Sequence, residues 1–147
     1  MRQWDVDTND ISGAVVDEAY QLHEQLGPGL LESVYEVLLY HRLRRRGLEV
    51  LRQVPIPIRF DDLQFDEGFR ADLIVAQQIV VELKSTEENH PVHSKQLLTY
   101  LRLTNISVGL LINFGRPLLK DGLKRIVHNL PSDSCLLKSP PRLSGSA

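Results

Sequence analysis

At 147 residues the chain has the length of one domain with a proper core. Its 42% hydrophobic and 24% charged residues are ordinary for a soluble globular protein, and its net charge of −2 excludes a global basic field of the kind that advertises nucleic-acid binding. The single cysteine, Cys135, excludes an intrachain disulfide, and no apolar run approaches transmembrane length.

The first residues, Met1-Arg2-Gln3-Trp4-Asp5, carry no apolar signal core, so a cytoplasmic location with no membrane contact is expected. Thr8 or Asn9 can cap a first helix that runs to Leu26, with Ile11, Val15, Ala19 and Leu22 at helical spacing. Gly27-Pro28-Gly29 ends it and starts a second helix. That helix runs from Leu30 to Arg46, with Leu31, Val34, Leu38 and Leu39 turned inward and Gly47 as its stop. The basic run Arg42, Arg44, Arg45, Arg46 and Arg52 reads first as a solvated helix end, where the helix dipole favours cations. Residues 50–60 read as a strand placed near an edge by Pro55 and Pro57, and Asp61-Asp62 begins a turn. A charged hairpin, a polar loop (85–90) and a helix opened by Pro91 (92–103) follow. Residues 107–113 form a short buried strand, and residues 124–127 fit either a last strand or a turn of helix. The domain is expected to span residues 1–130, and residues 131–147 to form a flexible tail. The order of two helices, three strands, a helix and a strand predicts an α/β (α+β) fold, a mixed sheet covered by helices.

The hairpin is the most informative segment. In Ile79-Val80-Val81-Glu82-Leu83-Lys84 the alternation puts Ile79, Val81 and Leu83 on one face and Val80, Glu82 and Lys84 on the other. In the preceding strand Phe69, Ala71, Leu73 and Val75 share a face, opposite Arg70, Asp72 and Ile74. The apolar faces join only if Leu73 sits opposite Val81 and Val75 opposite Ile79, which leaves Ala76-Gln77-Gln78 as the loop. Asp72 and Glu82 are then direct cross-strand neighbours, with Lys84 further along the same face. Charges inside apolar strands are costly unless paired or bound to a cation. Two adjacent carboxylates repel, and a hard cation such as Mg²⁺ removes the conflict. A lysine beside them can orient water and stabilise charge developing on a phosphate. The plainer reading is a Glu–Lys pair on a half-exposed sheet.

Asp72, nine intervening residues, then Glu82-Leu83-Lys84 resembles the D…ExK core of the PD-(D/E)xK nuclease superfamily, with Ala71 where the motif names Pro. Gly29-Leu30-Leu31-Glu32-Ser33-Val34-Tyr35 reads GxxExxY, the signature that names one family of that superfamily. Gln96-Leu97-Leu98-Thr99-Tyr100 resembles the QxxxY motif of its exonuclease branches, and the order of elements matches its core. The resemblance implies a restriction-endonuclease-like core and a phosphodiesterase dependent on Mg²⁺ or Mn²⁺. Asp72, Glu82 and the Leu83 carbonyl would hold the metal, and Glu32 would complete its shell directly or through water. Lys84 would position the attacking water. Gln96 and Tyr100, one turn apart, would orient a ligand carboxylate or hold substrate. It also implies a nucleic-acid partner, DNA ahead of RNA, and a dimer or a helicase-type companion.

Taken residue by residue, simpler roles stay open. Glu32 is an acid in the first turn of a helix, which needs no metal. On spacing alone Tyr100 serves equally as a core aromatic with Gln96 as its polar neighbour. Glu87, Glu88, His90 and His93 show no standard ligand spacing. The competing function is a non-catalytic module that keeps the fold and grips nucleic acid or a protein.

Overall fold

In a computed structural model, which describes residues 7–128, the first helix α1 (Thr8–Leu26) is capped not by Thr8 or Asn9 but by Asp7, whose carboxylate accepts from the Asn9 amide at 3.1 Å. The turn 27–31 then needs glycine, since Gly29 has φ 107°. The second helix α2 (Glu32–Arg45) follows. Its buried line is Tyr35, Leu39 and Leu43, at successive four-residue steps. The expected inward residues Leu31 and Val34 are exposed instead, because Leu31 precedes the helix and Val34 lies off the Tyr35 line. The basic run fastens α2 to α1: Arg42 pairs with Glu18, and Arg46 with Asp17 and Glu18.

Strands β1 (Val50–Phe60), β2 (Leu63–Val75) and β3 (Ile79–Lys84), helix α3 (Pro91–Thr104), and strands β4 (Val108–Asn113) and β5 (Leu123–Val127) complete the order. One sheet runs β1-β2-β3-β4-β5. The β3–β4 pair is parallel, joined across α3, and the other pairs are antiparallel. Residues 124–127 are therefore strand, and β1 is an edge as its prolines require. Helices α1 and α2 cover one face, over Leu73, Val75, Ile79, Val81 and Leu83. Helix α3 covers the other, packing Leu97 and Leu101 against Ile74, Val80 and Leu111.

The predicted register holds: Leu73 pairs with Val81 and Val75 with Ile79. The expected single apolar face of β2 does not. Leu73 and Val75 belong to the core under α1 and α2, whereas Phe69 and Ala71 pack in the core under α3. The switch falls at Asp72. Across from it on β1, between the pairs Arg52–Leu73 and Val54–Ala71, Gln53 has φ 54° and interrupts the regular strand twist. Expectations for residues 131–147 lie outside the described residues.

Candidate active site

The β2–β3 ladder stops at Leu73 and Val81, one pair short of Asp72 and Glu82. Beyond it, carboxylates replace the missing backbone bonds. The Asp72 amide donates to Glu82 Oε2 at 3.2 Å, and the Leu83 amide donates to Asp72 Oδ2 at 2.8 Å. Both acids are thus fixed at the point where the two strands part. Glu82 is 7% exposed. Burial, then the neighbouring charge of Asp72, pushes its carboxyl up to about 8. Burial likewise raises Asp72, against the Leu83 amide bond that favours its charged form, and the charges of Glu36 and Glu32 raise it further. Lys84 stands half-buried beside them and lowers both acids by its charge, without making a salt bridge to any described residue.

The remaining predicted residues divide. Glu32 is exposed at the start of α2, close enough for its charge to reach Asp72. Tyr100 is both things that its spacing allows. Its ring stacks on Phe69 with centroids 3.8 Å apart, as a core aromatic does, while its hydroxyl is raised by burial and then by the charges of Glu82 and Asp72. Gln96 is exposed, and its side chain makes no hydrogen bond to a described residue. His93 has its proton affinity lowered by burial, then by the charges of Lys84 and His90, and it lines one cleft together with Lys84. Leu83 buries its side chain in the core, leaving its backbone to the site.

Two neighbours, Glu36 and Gln53, carry no motif in the sequence. Glu36, 5% exposed, takes Arg52 on Oε2 at 3.0 Å and Gln53 Nε2 on Oε1 at 2.8 Å. Gln53 Nε2 also reaches Asp72 Oδ1 at 3.5 Å. Glu36 was findable, since it lies one turn after Glu32 on the same helix face. Gln53 gave no signal, because its role depends on a positive φ inside a strand. Tyr35 is structural. It is fully buried and stacked on Phe114 at 4.2 Å, and its hydroxyl donates to the Gly27 carbonyl at 2.5 Å and accepts from the Leu30 amide at 3.3 Å. It clamps the turn that presents Glu32.

Among the described residues no group of three or more His, Cys, Asp or Glu side chains is arranged to hold a metal ion. Two adjacent carboxylates are a donor set that suits Mg²⁺, which keeps several waters and takes substrate phosphates as further ligands. The mutual repulsion of Asp72 and Glu82 is the feature a divalent cation relieves.

A part-buried carboxylate pair thus stands at the open end of a hairpin, with a lysine two residues on, in a five-stranded mixed sheet between helices. The family model of the PD-(D/E)XK nuclease superfamily matches residues 9–126, and the chain belongs to that superfamily. Its members generally use divalent metal ions. No match was found among curated proteins. No helix among the described residues is long and apolar enough to cross a membrane.

Proposed function

We propose that the chain is a phosphodiesterase that hydrolyses nucleic acid, DNA ahead of RNA, with Mg²⁺ or Mn²⁺ bound at Asp72 and Glu82, and that it belongs to the GxxExxY branch. The observation that carries this reading is the part-buried Asp72–Glu82 pair itself. Each acid accepts a backbone amide of the facing strand at 3.2 Å or less, and one of them is pushed up to about 8. The Leu83 carbonyl is a third donor from the same strand, and Glu32 contributes through water. A divalent ion there would supply positive charge to the phosphate and lower the pKa of a bound water. Lys84, which makes no salt bridge with a described residue, orients the attacking water and offsets the charge that grows on the phosphate oxygens. The Tyr100 hydroxyl and the exposed Gln96 amide hold substrate at the mouth of the site. Gln53, tied to Glu36, keeps Asp72 from turning away. The protein acts in the cytoplasm.

The test combines calorimetric Mn²⁺ titration with cleavage of labelled single- and double-stranded DNA and RNA. Wild type is expected to bind metal and cleave. Asp72→Asn/Glu82→Gln is expected to lose both. Lys84→Ala should keep metal affinity and thermal stability and lose cleavage by about 10²-fold or more, the scale of removing one charge-stabilising donor. Full cleavage by Lys84→Ala would sink the assignment. Wild type that binds no metal would leave a binding module on an inherited fold.

A further inference from the structure

The lysines of this chain are not scattered. Of the four among the described residues, three line one cleft of about 560 Å³ between the end of β3, the start of α3 and the β4–β5 side of the sheet: Lys84, Lys95 and Lys124. His90 and His93 line it too, against a single acid, Asp121. The arginines divide: Arg44, Arg45, Arg59, Arg102 and Arg125 make no salt bridge with a described residue, and none of the ten described arginines lines this cleft. Arg42, Arg46, Arg52, Arg70 and Arg116 sit in salt bridges elsewhere, and Lys84, Lys95 and Lys124 make none with a described residue. The protein's net charge of −2 therefore conceals a local cluster of lysines, of which Lys95 and Lys124 lie away from the Asp72–Glu82 pair. Lys84 belongs both to this cleft and to the face of Asp72 and Glu82, so the two regions are continuous.

We propose that this cleft seats phosphates of the nucleic-acid strand next to the bond being cut, with Lys95 and Lys124 as the phosphate-binding residues. The proposal rests on the nuclease reading of the adjoining site. The chemistry selects a polyanion: three lysines lining one cleft attract repeated phosphates, and Asp121 alone does not balance them. Lysine is a point charge on a flexible stem, which suits backbone phosphates and carries no base preference. His90 and His93, with rings 5.5 Å apart, add donors at the rim when protonated. Burial, then the charges of Lys84 and His90, lower the proton affinity of His93, and the charge of Glu32 opposes them.

The test is binding without chemistry. A short labelled oligothymidylate and a short DNA duplex are titrated with the protein in EDTA, over a range of salt, by fluorescence anisotropy. Lys95→Ala/Lys124→Ala should weaken binding about tenfold at low salt and flatten the dependence of log affinity on log salt by about one for each lysine. Lys95→Arg/Lys124→Arg should restore most of the binding. Lys120→Ala, which removes a lysine outside the cleft, should change little. Both lysines are exposed, so thermal melts of the variants should match wild type. Unchanged affinity and salt slope in the double alanine variant overturn the cleft, and so does a wild type that binds neither probe. The nuclease reading fails separately: if the variant loses binding while wild type never cleaves in Mg²⁺ or Mn²⁺, the cleft stands and the chemistry does not.

Discussion

Glu32 and Glu36 are one turn apart on α2, and their surroundings give them different work. Glu36 is buried and bonded to Arg52 and Gln53, so its charge is committed to holding β1 against α2. Glu32 is exposed and makes no hydrogen bond to a described residue, so its carboxylate is free to meet a hydrated ion. Glu36→Gln is therefore expected to lower stability by about 1–2 kcal/mol, the loss of a charge-assisted bond in a buried setting, and to leave Mn²⁺ affinity nearly intact. Glu32→Gln is expected to leave the denaturation midpoint within experimental scatter and to slow cleavage. Urea melts and single-turnover rates on both variants separate the two. The converse pattern would move the working acid of α2 from Glu32 to Glu36.

At the scale of elements, the register of the hairpin was legible because the alternation of Leu73, Val75, Ile79 and Val81 permits only one pairing. The turn was not legible. Ala76 and Gln77 both adopt positive φ, 52° and 59°, with the Gln78 amide bonded to the Val75 carbonyl at 2.9 Å, a geometry usually marked by glycine or asparagine. Pairing of the strands imposes the turn on residues that dislike it. Gln77→Gly, at an exposed position, should therefore stabilise the protein by up to about 1 kcal/mol, read from a shift in the urea midpoint. The split of β2 between two cores is hidden for a related reason, since the strand pattern assumes a regular pleat and Gln53 breaks it. Asn113 reads in the sequence only as the last residue of β4. It is 3% exposed, and its amide accepts from the Thr86 and Gly115 amides and donates to Thr86 Oγ1, Glu88 O and Asn89 Oδ1. It holds the loop after Lys84 against the sheet. Gly115 completes the contact, since a Cβ there would lie 2.3 Å from the Thr86 carbonyl oxygen. Asn113→Ala should cost about 2–4 kcal/mol, because it strips partners from several buried groups at once. Hydrogen exchange should speed up first at the Thr86 and Gly115 amides.

Over the whole molecule, the site and the stability of the fold are linked through protons. In the unfolded chain Glu82 titrates near its ordinary value of 4.5, and in the folded, metal-free chain it is pushed up to about 8, with Asp72 raised in the same sense. Between those values the folded chain holds a proton that the unfolded chain has released. Each rise in pH through that window favours unfolding, so the metal-free protein should be less stable at pH 8 than at pH 5, by on the order of a few kcal/mol. Glu82→Gln removes the titrating group and should flatten this decline and stabilise the metal-free form at alkaline pH. A divalent ion acts in the opposite direction, because it binds the deprotonated pair that folding otherwise disfavours. At a metal concentration about 100 times Kd, binding to the folded state alone adds about 2.7 kcal/mol, and this gain is largest where the pair is ionised. Thermal melts across that pH range should therefore descend in EDTA and level off or rise in Mg²⁺ for wild type, and lie close together for Glu82→Gln. Wild-type melts that ignore both pH and metal would mean that Asp72 and Glu82 are stabilised by their protein contacts alone. The pair would then be an ordinary part of the sheet and not a site under tension that a cation relieves.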